Sequence, residues 1–212
     1  MVVCGAALRQ REVRAARRAI ATSRMTEAAA PRYSPPAAFD WRLPDGARVT
    51  IRPIRADDAE REQAFVRSLS AESRYFRFLS ALHELTPEML RRFTRIDPEC
   101  ETALVATTAD DAGERQVAVA RYALEPPGRR AEFAVVVADA WQGRGLGYRL
   151  MQALIEDARR RGLEALRGEV LSANHGMLEL MQSLGFRIAR NPAEPEITDV
   201  ELELRPAGTI DR

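Results

Sequence analysis

The sequence predicts an α/β fold in which a mixed central β-sheet is flanked by helices, and three observations carry that prediction. A β-branched apolar block of strand length, Phe133 to Ala138, leads into a turn with glycines at alternate positions, Gly143, Gly145 and Gly147. A run with apolar residues at helical spacing follows, Leu146, Leu150, Leu154 and Ala158. Further strand-like and helix-like segments alternate on both sides, as an α/β sandwich requires.

The first block is too short and too rich in Val to be a helix, so it reads as a buried strand. In the turn, three missing Cβ atoms leave space for backbone N–H groups to crowd around a bulky anion. The helix carries Met151 and Ile155 beside its apolar stripe and Arg149, Gln152, Glu156 and Asp157 on the opposite, polar face. Arg159, Arg160 and Arg161 fill its last turn and Gly162 stops it. It therefore starts inside the glycine run, where its N-terminus offers free N–H groups and partial positive charge to a phosphate. A P-loop would need a Lys, and the chain has none; a Rossmann turn would follow its strand directly, without the Asp139–Gln142 bridge seen here.

The length of 212 residues suits one domain with a tail. An apolar content of 46% with 30% charged residues is ordinary for a soluble chain, and no run is long enough to span a bilayer. All 32 basic residues are Arg, against 31 acidic ones. Cys4 and Cys100 lie far apart with no CxxC and no nearby His, which implies neither a disulfide framework nor a zinc site; a reducing cytoplasm is the expectation. Residues 1–24 hold six Arg and one Glu, a local charge of +5. That stretch reads as a transit-like peptide, as a basic helix for nucleic acid or anionic lipid, or as disorder or untranslated sequence before a start at Met25; the last pair is preferred. Residues 26–47 are Ala/Pro-rich and read as a linker that lays Trp41 onto the domain. The expected division is a tail over 1–47, a domain over 48–205 and a short C-terminal tail over 206–212.

Within the domain, Arg48 to Ile54 reads as an edge-like strand and Asp57-Asp58 opens a helix. Ala59 to Leu69 and Ser73 to Leu79 are short helices, and Thr86-Pro87 caps a third that runs to about Ile96. Thr102 to Thr107 and Gln116 to Leu124 form a hairpin. After the long helix come a strand at Ala165 to Leu171, a helix at Asn174 to Ser183, and strands at Phe186 to Arg190 and Thr198 to Leu204.

Gln142-Gly143-Arg144-Gly145-Leu146-Gly147 resembles motif A of the GNAT acetyltransferase superfamily, Gln/Arg-x-x-Gly-x-Gly/Ala. Asn174 through Leu184-Gly185-Phe186 resembles that family's later signature. Arg52-Pro53-Ile54-Arg55, Ser73 to Phe78, Met89 to Asp97, Glu132 to Val137, and Asn174 with Met177 and Leu178 look like the catalytic domain of bacterial protein lysine acetyltransferases, over roughly residues 48 to 205. The resemblance implies acetyl-CoA as co-substrate and no metal. Its diphosphate would meet the turn Gln142, Gly143, Arg144, Gly145, Leu146, Gly147 and Tyr148, chiefly through main-chain amides. Its pantetheine arm would pair with Val135 and Val137, a backbone N–H at Val135 or Val136 would bind the oxyanion, and Asn174 would contact the cofactor arm. The acceptor it implies is a protein lysine, acyl-CoA synthetases being known targets; a small amine metabolite or a non-catalytic acyl-CoA sensor are the alternatives. No nucleic acid or membrane partner is expected.

A lysine ammonium has a pKa near 10.4, so exposing the neutral amine at pH 7 costs about 4.6 kcal/mol. Glu132, at the start of the central strand, is the carboxylate placed by sequence to accept that proton directly or through a water. A bulge in this strand would turn it away. Where many GNAT enzymes have a Tyr that protonates the leaving thiolate, this chain has Met181; Tyr122 and Tyr148 are the conceivable substitutes.

Overall fold

The structure, a computed structural model, describes residues 2–3, 33–78, 80, 82–110 and 113–204. Its strands are β1 (Val2–Val3), β2 (Phe39–Arg42), β3 (Arg48–Pro53), β4 (Glu101–Asp110), β5 (Gly113–Glu125), β6 (Arg130–Val137), β7 (Ala165–Leu171), β8 (Arg187–Arg190) and β9 (Ile197–Glu203). Its helices are α1 (Ala59–Ser68), α2 (Ala71–Phe78), α3 (Pro87–Thr94), α4 (Leu146–Arg160) and α5 (His175–Ser183). The sheet runs β2-β3-β4-β5-β6-β7-β9-β8, with β1 added on β6. Among the described residues only β6 and β7 pair in parallel, and α4 makes the crossover between them.

Alternation along β6 distributes its side chains between two cores. Phe133, Val135 and Val137 pack with Leu146, Leu150 and Leu154 of α4 and Met177 and Met181 of α5. Val136 faces the other way, with Val105 and Val119, toward Phe65 of α1 and Phe93 of α3. The β5–β6 ladder runs without a register shift from Ala118↔Val137 to Glu125↔Arg130. The β4–β5 ladder shifts between Ala106 and Thr107, but the β5–β6 ladder does not, so β6 has no bulge against β5 and the facing of Glu132 is fixed.

Beyond Glu132 the central strands part. The parallel ladder joins only Arg130–Glu132 to Ala165–Arg167, whereas β9 stays paired with β7 as far as Leu171. Phe133 stands at the fork: a Cβ built on Gly168 would lie 2.9 Å from its Cε1, and the Phe186 ring sits 5.1 Å away. Gly168 makes room for that ring.

Several segments depart from the sequence reading. The ordered chain starts before Arg48, because Phe39–Arg42 pairs with Arg48–Ile51 as a hairpin. Its turn is closed by Leu43 N–H to Ala47 O (2.8 Å) and Gly46 N–H to Leu43 O (2.9 Å), with Gly46 at φ +91°. β3 is accordingly an inner strand between β2 and β4. Tyr33, earlier still in the supposed linker, donates to Asp157 Oδ2 at 2.6 Å. Asp157 itself is fully buried, not part of a solvated face: Tyr122 also donates to it at 2.6 Å and Arg160 at 3.0 Å. α3 stops at Thr94, whose hydroxyl bonds back to Leu90 O. Of residues 1–24, only Val2–Val3 lie within the described residues, as does nothing of 206–212.

Candidate active site

The glycine turn leaves a helix end with open valences. Gly143 and Gly145 adopt φ +70° and +82°, a region that other residues resist. Gly145 is the N-cap of α4 and supplies no side chain, and the first turn carries no acidic residue. Among the described residues, the N–H groups of Gly145, Leu146, Gly147 and Tyr148 meet no acceptor. Four aligned donors at the positive end of a four-turn helix suit an anion.

The side chains of the turn are committed elsewhere. Arg144 pairs with Asp45 in the β2–β3 turn and lies 4.3 Å over the Trp141 ring. Asp45 is held below its usual carboxylate range by the bond from Arg144 and then by the Ala47 N–H. Gln142 Nε2 donates to Val137 O (3.1 Å) and Ser73 Oγ (3.3 Å). Leu146 is fully buried, so it presents only its main chain. Tyr148, 37% exposed, is the one partly open aromatic of this turn. The β2 strand underpins the helix start, with Trp41 3.7 Å from a Cβ built on Gly145 and the Arg149 guanidinium 4.7 Å over Phe39.

The second half of the site is the edge of β6 that β7 leaves. β5 takes one edge along the whole strand, and past Glu132 β7 no longer covers the other. In the structure the backbone of β1 lies there, Val3 opposite Val135 and Val2 opposite Val136. That pairing shows the edge accepts an extended segment as an added strand.

Glu132 is the last paired residue before the fork, half-buried, on the α1–α3 side with Val136. It sits in a row across the sheet, Glu101, Ala123, Glu132, Arg167, Glu201 and Arg187, each in register with the next. Arg167 bonds onward to Glu201 at 3.1 Å, and Arg187 to the same carboxylate at 2.6 Å. This row joins residues from six strands, and only their pairing reveals it. Arg121 lies buried on the same face, 4.6 Å from the Phe93 ring centroid.

The remaining candidates separate clearly. Asn174 is 5% exposed and caps α5, accepting from Met177 N–H at 3.3 Å. Met181 is fully buried in the α4–α5 core and supplies no proton. Tyr122 is excluded as its substitute: it is buried on the α4 side of the sheet, and burial, then the Asp157 charge, push its phenol far above the usual range. His83 and His175 are exposed. Among the described residues, no group of three or more His, Cys, Asp and Glu is arranged to hold a metal, and no helix is long and apolar enough to cross a membrane.

Residues 64–186 match the acetyltransferase (GNAT) family. The chain belongs to that family. It is 40% identical to an acetyltransferase of Pseudomonas aeruginosa over 150 residues, covering 71% of this chain and 81% of that one. It is 31% identical over 161 residues to the acetyltransferase Pat of Mycolicibacterium smegmatis, 76% of this chain but 47% of Pat. Among solved structures, the GNAT domain of S. lividans PAT superposes with a TM-score of 0.72 at 32% identity, covering 81% of this chain and all of that one. A Salmonella typhimurium protein solved with acetyl-CoA shares the fold at a TM-score of 0.56 and 22% identity. The chain is thus a GNAT-family acetyltransferase with a mixed sheet and flanking helices.

Proposed function

We propose that this acetyltransferase uses acetyl-CoA to acetylate a primary amine, and that the amine is a protein lysine side chain. The observation that carries the reading is the set of unsatisfied N–H groups at Gly145 to Tyr148, next to the β6 edge that β7 leaves, with Glu132 at its inner end. The likeness to Pat and to the S. lividans PAT domain supports the lysine acceptor. The four N–H groups would hold the diphosphate, and Val135 and Val137 would pair with the pantetheine amides. Glu132 takes the proton of the attacking ammonium, directly or through one water, and the amine nitrogen then bonds to the thioester carbonyl carbon. A backbone N–H at Val135 or Val136 stabilises the charge that develops on the oxygen. As the C–S bond breaks, the nitrogen sheds its second proton to solvent and the thiolate draws one from solvent, which a thiol with a pKa near 8.5 tolerates.

A small-molecule amine is the second reading. It is favoured by 43% identity over 58 residues, 27% of this chain, to an L-methionine sulfoximine/L-methionine sulfone acetyltransferase of Pseudomonas aeruginosa. Thiol release from acetyl-CoA separates the readings. Release driven by acyl-CoA synthetases or other lysine-bearing proteins, and not by free amino acids or amines, is the expected result; the reverse pattern supports the second reading. Binding without release under any acceptor would leave a non-catalytic acyl-CoA sensor.

On this reading β1 and pantetheine compete for one edge, at Val135 and Val136. A chain beginning at Met25 should therefore bind acetyl-CoA several-fold more tightly than the full chain in calorimetry, and equal affinities would show that β1 offers no competition.

A further inference from the structure

Asp139 lies two residues past the end of β6, at the start of the single helical turn Asp139–Trp141 that leads to the glycines. Its carboxylate reaches across to the start of α2. Oδ2 accepts the Ser70 N–H at 2.9 Å, and Oδ1 accepts the hydroxyls of Ser70 (2.7 Å) and Ser73 (2.9 Å). Three residues on, Gln142 Nε2 donates to the same Ser73 hydroxyl and to Val137 O. Two side chains of the turn thus grip one serine pair 66 to 69 residues away in sequence.

Helix capping alone does not account for this. Ser70 already accepts the Ser73 N–H at 3.1 Å, so α2 has its own cap. Nor is a second carboxylate an electrostatic help to an anion site; a negative charge within a Debye length of a diphosphate opposes its binding. What the bonds do achieve is mechanical. The turn that sets the direction of the free N–H groups is tied to α2, one of the helices covering the face on which Glu132 lies.

We propose that Asp139 is a positioning residue that locks the diphosphate turn to α2, so that seating the coenzyme and ordering the acceptor side of the site are one event. The proposal rests on the acetyl-CoA reading above. Asp139 touches no reacting atom; it acts through Ser70 and Ser73, with Gln142 completing the clamp. Charge and clamp predict opposite signs for its removal. If only charge mattered, Asp139→Asn would bind acetyl-CoA more tightly. The clamp requires weaker binding, because the turn must then be ordered at the moment of binding.

The test uses the full chain, acetyl-CoA as the probe, and three variants: Asp139→Asn, Ser73→Ala and the double substitution. Calorimetry should show each single variant binding about tenfold more weakly, with the double no weaker than the poorer single, since both break one network. Hydrogen exchange supplies a readout that a merely structural role would not move. In the unsubstituted protein, acetyl-CoA should slow exchange at the amides of Ala71–Phe78, and in Asp139→Asn that transmitted protection should vanish even when the coenzyme is saturating. Binding by Asp139→Asn as tight as or tighter than the original, additive losses in the double variant, or protection of α2 that survives the substitution would each overturn the clamp. No heat from the unsubstituted protein would instead overturn the acetyl-CoA reading, and the clamp with it.

Discussion

Glu132→Gln is expected to lower the rate of acetyl transfer by ~10² or more while leaving the affinity for acetyl-CoA nearly unchanged. The geometry fixes both halves of that expectation. Glu132 closes the inner end of the fork between β6 and β7, and the unshifted β5–β6 ladder turns its side chain to the α1–α3 side, away from the α4 helix start that would carry the diphosphate. Gln keeps the size and the hydrogen-bonding outline, so packing survives and only the proton acceptor is lost. The pH dependence should differ accordingly. With Glu132 removing the proton, the rate need not wait for free amine; in the variant it should climb roughly tenfold per pH unit toward the lysine pKa near 10.4. Steady-state rates from pH 6 to 9, alongside calorimetry, check both. An unchanged rate at pH 7 would remove Glu132 from the chemistry.

What the sequence made legible was local. The Val-rich strand, the glycine turn, the start of α4 at Gly145 and the stop at Gly162 all follow from neighbours within a few residues, as does the Thr86-Pro87 cap. What it hid was long-range. Asp157 falls on the polar side of a helical wheel, but Tyr33 and Tyr122 arrive from 124 and 35 residues away to bury it. Arg144 stands in a phosphate motif, yet its side chain answers to Asp45, 99 residues distant. The missed hairpin is different, since its signal was present: Phe39 and Trp41 alternate with Asp40 and Arg42 ahead of Pro44-Asp45-Gly46, a turn sequence with a mechanism. The surrounding prolines mask it. That omission matters for the site, because β2 is what Gly145 and Arg149 rest against.

Asp58→Ala is expected to destabilise the fold by about 3–5 kcal/mol, the largest effect foreseen away from Glu132. Asp58 and Arg52 are buried, with side chains 1% and 5% exposed, and bond in parallel at 2.7 Å for each nitrogen–oxygen pair. Asp58 also accepts the Arg55 N–H at 2.8 Å and the Arg61 guanidinium at 3.0 Å, tying the end of β3 to the start of α1. Removing the carboxylate strands the Arg52 charge beneath α1, with only the partly exposed Glu114 left to meet it. Urea unfolding reads the loss directly, and a change under about 1 kcal/mol would mean that the pair contributes only what a surface bridge does. Acid gives an independent arm. Burial opposes the Asp58 charge, but the bonds from Arg52 and the Arg55 N–H outweigh it and hold the carboxyl below its usual range. A group depressed in the folded state stabilises above its unfolded pKa, near 3.9, and loses that contribution only as pH falls through the lower folded value. The unsubstituted protein should therefore lose this share of its stability below about pH 4, and Asp58→Ala should lack that part of the acid slope while being weaker throughout the neutral range. Parallel stability curves for the two proteins down to pH 3 would show that the ion pair is not what Asp58 supplies.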